Sequence, residues 1–153
     1  MIVINKIERI IGVDPGINIT GFGILDKMRN QIKVVAYGTI EPPKKEYIGD
    51  RLEFLNSEMS QILTKFNPMH MAIEDMFYGK NVKSALLLGQ ARGVLILAAA
   101  SKGIRCSEYA PRKVKQSVVG NGSADKDQVK YMVKQILDLK AIKGSQDISD
   151  ALA

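Results

Sequence analysis

The chain alternates between short apolar runs that suit strands and longer stretches with apolar residues at helical spacing. Glu8–Asp14 is a β-rich apolar run stopped by Asp14-Pro15-Gly16, a turn signal. Ile19–Leu25 resumes with alternating small and apolar residues, and Ile32–Ile40 follows as another strand. The connections are short, so the three runs predict an antiparallel meander. Pro42-Pro43 then breaks the chain. From Tyr47 to Phe66, Ile48, Leu52, Leu55, Met59, Ile62 and Leu63 keep helical spacing, and Pro68 ends that helix. Met69–Ile73 reads as a short buried strand that delivers Glu74.

Asn81 suits the cap of a long helix running to about Lys102. That helix carries Gly89 and Gly93, which cost helix stability unless something packs closely there, either a symmetric mate or the chain's own sheet. Ile104–Tyr109 is a fifth strand, and Pro111 fits a helix start. Gly120-Asn121-Gly122-Ser123 is a loop, with Ser123 the expected cap of a helix to about Leu139 and Asp125 in its first turn. Lys143-Gly144-Ser145 is a break, and Asp147 opens a last helix. Three hairpin-connected strands followed by helix–strand–helix–strand–helices predict an α/β fold: a five-stranded mixed sheet, three antiparallel strands then two parallel, flanked by helices.

Composition narrows the class. The chain has 153 residues, which fits one domain over 1–153, and 46% apolar with 25% charged residues argues against global disorder. The net charge of +6 is consistent with a polyanionic partner. Its position says more: between Lys102 and Lys143 basic residues outnumber acidic ones, as a phosphate-facing surface requires. A lone cysteine, Cys106, excludes a disulfide framework and a cysteine-based zinc site, and reads as a structural strand residue. The opening Met1-Ile2-Val3-Ile4 run is broken by Lys6, Glu8 and Arg9, so no secretory signal is expected. The longest apolar stretch, near Val94–Ala100, is too short to span a bilayer. The expected place is the reducing cytoplasm, with no membrane partner.

Acidic residues at the ends of elements carry the candidate chemistry. Asp14 ends a buried strand beside a Pro-Gly turn; it either caps that turn through the amides of Gly16 or Asn18, or faces a site. Glu74 also ends a buried strand, and in open α/β sheets sites are built at the carboxyl ends of strands. Asp147 and Asp150, three apart, share one face of a helix, although acids also favour helix N-termini for dipole reasons. If the two strands are neighbours and the last helix crosses their ends, the four acids converge. Carboxylates about 4 Å apart repel by roughly 4 kcal/mol at an effective dielectric near 20, so such a group needs raised pKa values or bound cations. Oxygen-only ligation suits Mg²⁺ or Mn²⁺, and a pair of such ions is a known means of phosphodiester hydrolysis. His70, the only histidine, is given no catalytic role.

The chain contains Ile11-Gly12-Val13-Asp14-Pro15-Gly16 with Thr20-Gly21-Phe22-Gly23, Ala72-Ile73-Glu74-Asp75-Met76-Phe77, Ser84–Gly93, Val114–Lys126 and the closing Asp147-Ile148-Ser149-Asp150-Ala151-Leu152-Ala153. On these segments, which occur in family order and spacing, it resembles the RuvC family of crossover-junction endonucleases, the bacterial Holliday-junction resolvases. The resemblance implies a ribonuclease H-like fold and a homodimer that binds four-way DNA junctions. It implies two symmetric nicks with Mg²⁺, Mn²⁺ substituting, two ions per active site, and 5′-phosphate and 3′-hydroxyl ends. By match, Asp14, Glu74, Asp147 and Asp150 are the metal-binding catalytic carboxylates. Lys115 and Lys126 match lysines near the scissile strand, and Phe77 matches an aromatic that stacks on junction bases. Branch-migration proteins of the same pathway are implied partners. The chain departs from the family in several extra residues before the first strand and in stopping at Ala153, barely two turns into a helix that family members usually continue.

Two other classes remain open to the sequence. One is a junction-binding dimer that holds DNA without cutting. The other is a nucleotide-binding ATPase of the actin and sugar-kinase type, whose first phosphate motif is similar to Asp14-Pro15-Gly16 but which needs two such domains.

Overall fold

Isoleucine and valine fill the first strand run, and the partners they find define the architecture. The computed structural model describes residues 7–29, 31–75 and 81–153. Strands β1 (Glu8–Asp14), β2 (Thr20–Met28) and β3 (Gln31–Ile40) come first. Helix α1 (Ile48–Phe66), β4 (His70–Glu74), α2 (Val82–Ala100) and β5 (Arg105–Tyr109) follow. Helices α3 (Pro111–Val119), α4 (Lys126–Ile136) and α5 (Gln146–Leu152) end the order. The strands form one sheet, β3-β2-β1-β4-β5. β1–β2 and β2–β3 are antiparallel, while β1–β4 and β4–β5 are parallel. The expected mixed sheet of three antiparallel and then two parallel strands is the one that forms.

The two-residue period of β1 sends Ile11 and Val13 to one face of the sheet. Ile11 and Val13 join Ile24, Met71 and Ile73 under α1 and α2, where Leu55, Met59 and Leu95 are fully buried. A second cluster lies around α4 and α5, built from Val129, Val133, Leu137, Ile148 and Leu152 with Leu25, Val34 and Tyr37 packed against it. Each fully buried aliphatic side chain stabilises the fold by roughly 1.5–3 kcal/mol.

Several boundaries differ from the sequence expectation for identifiable reasons. β2 runs past Leu25 to Met28 because Arg9 of β1 faces Asp26 across the ladder. The guanidinium donates to both Asp26 carboxylate oxygens at 2.7 and 2.8 Å and to the Phe66 carbonyl at 3.0 Å. Helix α4 is capped by Asp125, not Ser123. The Asp125 carboxylate accepts from the Gln128 amide at 2.8 Å, and the Gln128 side chain accepts from the Asp125 amide at 2.9 Å. This capping box satisfies two orphan donors, whereas Ser123 sits in a turn with its amide donating to Asn121. The helix ends at Ile136 instead of Leu139, and Asp138 adopts a left-handed backbone at φ 51°. Asn81 caps α2 as expected, accepting from the Ser84 amide at 3.1 Å.

Helix α2 also corrects the reading that no apolar stretch reaches membrane length. Its 19 residues are long and apolar enough to cross a bilayer by length and composition. The sequence pattern concealed this because Lys83 and Arg92 interrupt the run. In the fold, Ala91, Leu95, Ala98 and Ala99 are buried.

Candidate active site

The parallel register of β1 and β4 pairs Val13 with Ile73, so the next residues, Asp14 and Glu74, emerge side by side at the carboxyl ends of adjacent strands. The turn after Asp14 does not consume its carboxylate through Gly16. That amide donates to Thr20 Oγ1 at 3.1 Å, and the same hydroxyl donates back to the Gly16 carbonyl at 2.7 Å. Arg51 of α1 ties down the rest of the turn, its Nη2 donating to the Ile17 carbonyl and to Asn18 Oδ1 at 2.8 Å each.

The second pair of acids arrives because glycines leave room for a backbone. A methyl group on Gly12 of β1 would overlap the Ala151 carbonyl, and one on Gly21 of β2 would overlap the Asp147 carbonyl. Helix α5 therefore lies directly on the sheet, where any larger residue would lift it. Its first turn carries Asp147 over Gly21, and Asp150 reaches the cleft beside Asp14 and Glu74.

The charges of the other three acids act on Asp14. Burial, followed by the charges of Glu74, Asp150 and Asp147, pushes the Asp14 carboxyl up to about 8. Burial and then Asp150 raise Glu74 as well, while a hydrogen bond from the protonated Asp14 opposes that rise. Among the described residues, no group of three or more acids, histidines or cysteines is drawn closely enough to form a ready cation shell.

A cleft of about 300 Å³ brings Asp14, Glu74 and Asp150 together with Lys115 and Lys126. Lys126 Nζ lies 3.5 Å from Asp150 Oδ2, and both lysines lower the Glu74 pKa. The two lysines expected near a scissile strand therefore reach the acidic centre from α3 and from the first position of α4. Phe77 lies outside the described residues. His70 opens β4, at the opposite end from Glu74, and Cys106 sits half-buried on β5 with burial pushing its thiol up.

The donor set fits a hard divalent cation. It is all carboxylate oxygen, two of its members hold protons more tightly than usual, and no thiolate or imidazole competes. Sequence reasoning gave no role to Arg92, which packs directly behind Glu74. The signal was present: a charged residue on an otherwise apolar helix face needs buried partners.

Known proteins place this arrangement. The family described as "Crossover junction endodeoxyribonuclease RuvC" matches residues 10–153. The RuvC of Halothermothrix orenii is 45% identical over 144 residues, spanning 94% of this chain and 87% of that protein. The RuvC of Dictyoglomus thermophilum is 47% identical over 144 residues, spanning 94% and 91%. Among solved structures, T. thermophilus RuvC in complex with Holliday junction substrate superimposes with a TM-score of 0.89 at 29% identity, covering 95% of this chain and 88% of that one. The sheet order, the acids at its strand ends and these matches agree that the chain belongs to the RuvC family of crossover junction endodeoxyribonucleases.

Proposed function

We propose that residues 1–153 act as one nuclease domain that resolves four-way DNA junctions by paired nicks, in recombination and repair. The observation that carries the reading is the adjacency of Asp14 and Glu74, set by the β1–β4 register, inside a cleft that also holds Asp150, Lys115 and Lys126. RuvC family nucleases are metal-dependent. Asp14, Glu74, Asp147 and Asp150 would hold the cations, two Mg²⁺ per site with Mn²⁺ able to substitute. When bound, such ions supply the charge neutralisation and water activation of in-line phosphodiester hydrolysis. Asp14 would serve these cations as a carboxylate. Lys115 and Lys126, which line the same cleft, would face the DNA backbone; ammonium groups suit phosphates as point charges without reading bases. Phe77 stacks on an unpaired base. The products are 5′-phosphate and 3′-hydroxyl ends, made in the cytoplasm beside branch-migration proteins.

The paired nicks require two copies of the site, and α2 supplies a surface for them. Val82, Leu86, Gly93 and Leu97 form one exposed helical stripe, with the three large residues 61–71% exposed. A methyl on Gly93 would meet nothing within 4 Å, so close packing on the chain's own sheet does not explain that glycine. A helix apolar all round wants a partner on each side. We therefore assign the stripe to a homodimer. Leu97→Glu is expected to shift the sedimenting species from dimer to monomer and to abolish paired nicking. A dimer that survives this change would place the interface elsewhere.

The activity itself is tested with an end-labelled four-way junction and a matched linear duplex. Cutting of the junction alone, in Mg²⁺ or Mn²⁺ and not in EDTA, is expected. Equal cutting of the duplex, or tight junction binding with no cutting in either metal, would contradict the reading. Lys115→Ala and Lys126→Ala are each expected to weaken junction binding and to lower the slope of log affinity against log salt by about 1. Unchanged salt slopes would remove the two lysines from the DNA surface.

A further inference from the structure

A charged side chain on the buried face of an apolar helix is costly unless its donors are used. Arg92 of α2 has only 11% of its side chain exposed. Its Nε donates to the backbone carbonyl of Glu74 at 3.2 Å. Its Nη2 donates to Glu108 Oε2 on β5 and lies 3.6 Å from Asp75 Oδ1. One guanidinium thus joins α2, the last peptide of β4 and the neighbouring strand. The β4–β5 ladder extends one bond beyond Glu74, where the Asp75 amide donates to the Tyr109 carbonyl at 2.8 Å. The carbonyl that Arg92 grips belongs to the residue whose carboxylate meets Asp14.

We propose that Arg92 is a positioning residue for the nuclease reaction. It fixes the end of β4 against α2 and β5, so that the Glu74 carboxylate stays opposite Asp14 when cations bind. The proposal rests on the reading of Asp14 and Glu74 as cation ligands. The planar fork of arginine reaches a carbonyl and two carboxylates at once, which the single ammonium of lysine does not. Arg92→Lys therefore keeps the charge and loses the clamp.

The test compares wild type, Arg92→Lys, Glu108→Gln and Asp14→Asn. Mn²⁺ binding to the DNA-free protein is followed by electron paramagnetic resonance, and junction nicking is followed over a Mn²⁺ titration. Arg92→Lys is expected to remain folded by thermal melting and circular dichroism. Its Mn²⁺ affinity should fall roughly 10–100-fold, as for other residues that orient metal ligands. The metal concentration for half-maximal nicking should rise in parallel, with rate recovered in part at saturating Mn²⁺. Glu108→Gln should shift both in the same direction by less. A folded Arg92→Lys with wild-type Mn²⁺ affinity and metal dependence would overturn the proposal. If Arg92→Lys fails to fold, unchanged Mn²⁺ affinity in Glu108→Gln overturns it instead. Asp14→Asn separates the two layers: wild-type Mn²⁺ binding and nicking in that variant would sink the reading of the site itself, whatever Arg92 does.

Discussion

Asp14→Asn is expected to lower the nicking rate by about 10³-fold or more, equivalent to roughly 4 kcal/mol of barrier, while leaving junction binding intact. The amide fills the space of the carboxyl but brings no charge to a cation. Binding is expected to be spared because the proposed phosphate contacts are those of Lys115 and Lys126, and removing a negative charge from the cleft favours DNA. The same variant has an opposite effect on stability. The folded Asp14 carboxyl titrates at about 8 against an ordinary 3.8, so folding holds the proton that the unfolded chain releases. That contribution is fully present below about pH 4 and is lost as pH rises toward 8. In EDTA, wild-type Tm should therefore fall between pH 5 and pH 8, and Asp14→Asn should flatten the curve and melt several degrees higher at pH 8. Mn²⁺ should restore wild-type Tm at pH 8 by binding the folded state and should do little for the variant. A pH-independent wild-type Tm would show that Asp14 does not stand among repelling charges.

The second large effect is expected at a residue that carries no charge. Gly12→Ala places a methyl on the Ala151 carbonyl of α5, backbone against backbone, where no side-chain rotation relieves the overlap. The helix must lift, and Asp147 and Asp150 lift with it. Nicking should fall by 10²-fold or more, with a stability loss of about 1–3 kcal/mol, typical of overpacking. Gly49→Ala in the first turn of α1 is the control, because a methyl there meets nothing within 4 Å. It should be neutral or slightly stabilising. Hydrogen exchange at α5 amides, read beside the nicking assay, distinguishes displacement of this helix from general unfolding. Retained activity in Gly12→Ala would mean that the α5 acids do not need their seat on the sheet.

Most of the sheet was legible because period-2 alternation and turn residues fix strands locally. The Asp14-Pro15-Gly16 turn and the Met71-Ala72-Ile73-Glu74 run identified both central acids at strand ends, and a parallel β1–β4 pair then had to bring them together. Helix α5 was harder. Its seven residues form too short a pattern to reveal its seat, and the glycines that define the seat lie about 130 residues earlier in the chain. The Ser123 cap was misplaced because Ser and Asp both suit N-caps, and only the reciprocal Asp125–Gln128 pair decides between them. Arg92 was passed over because its partners, Glu74, Asp75 and Glu108, are distant in sequence. A family resemblance supplied the roles of Lys115 and Lys126, since composition alone leaves both as solvated surface lysines.

The most direct measurement is the digestion of a supercoiled plasmid that extrudes a cruciform, with Mg²⁺ present and with EDTA as control. Two coordinated nicks across one junction give linear DNA, whereas a single nick relaxes the cruciform away and gives an open circle. Linear product in Mg²⁺, absent with EDTA and with Asp14→Asn, is the expected result. Open circles only, or linear product that survives Asp14→Asn, would contradict resolution by paired carboxylate sites.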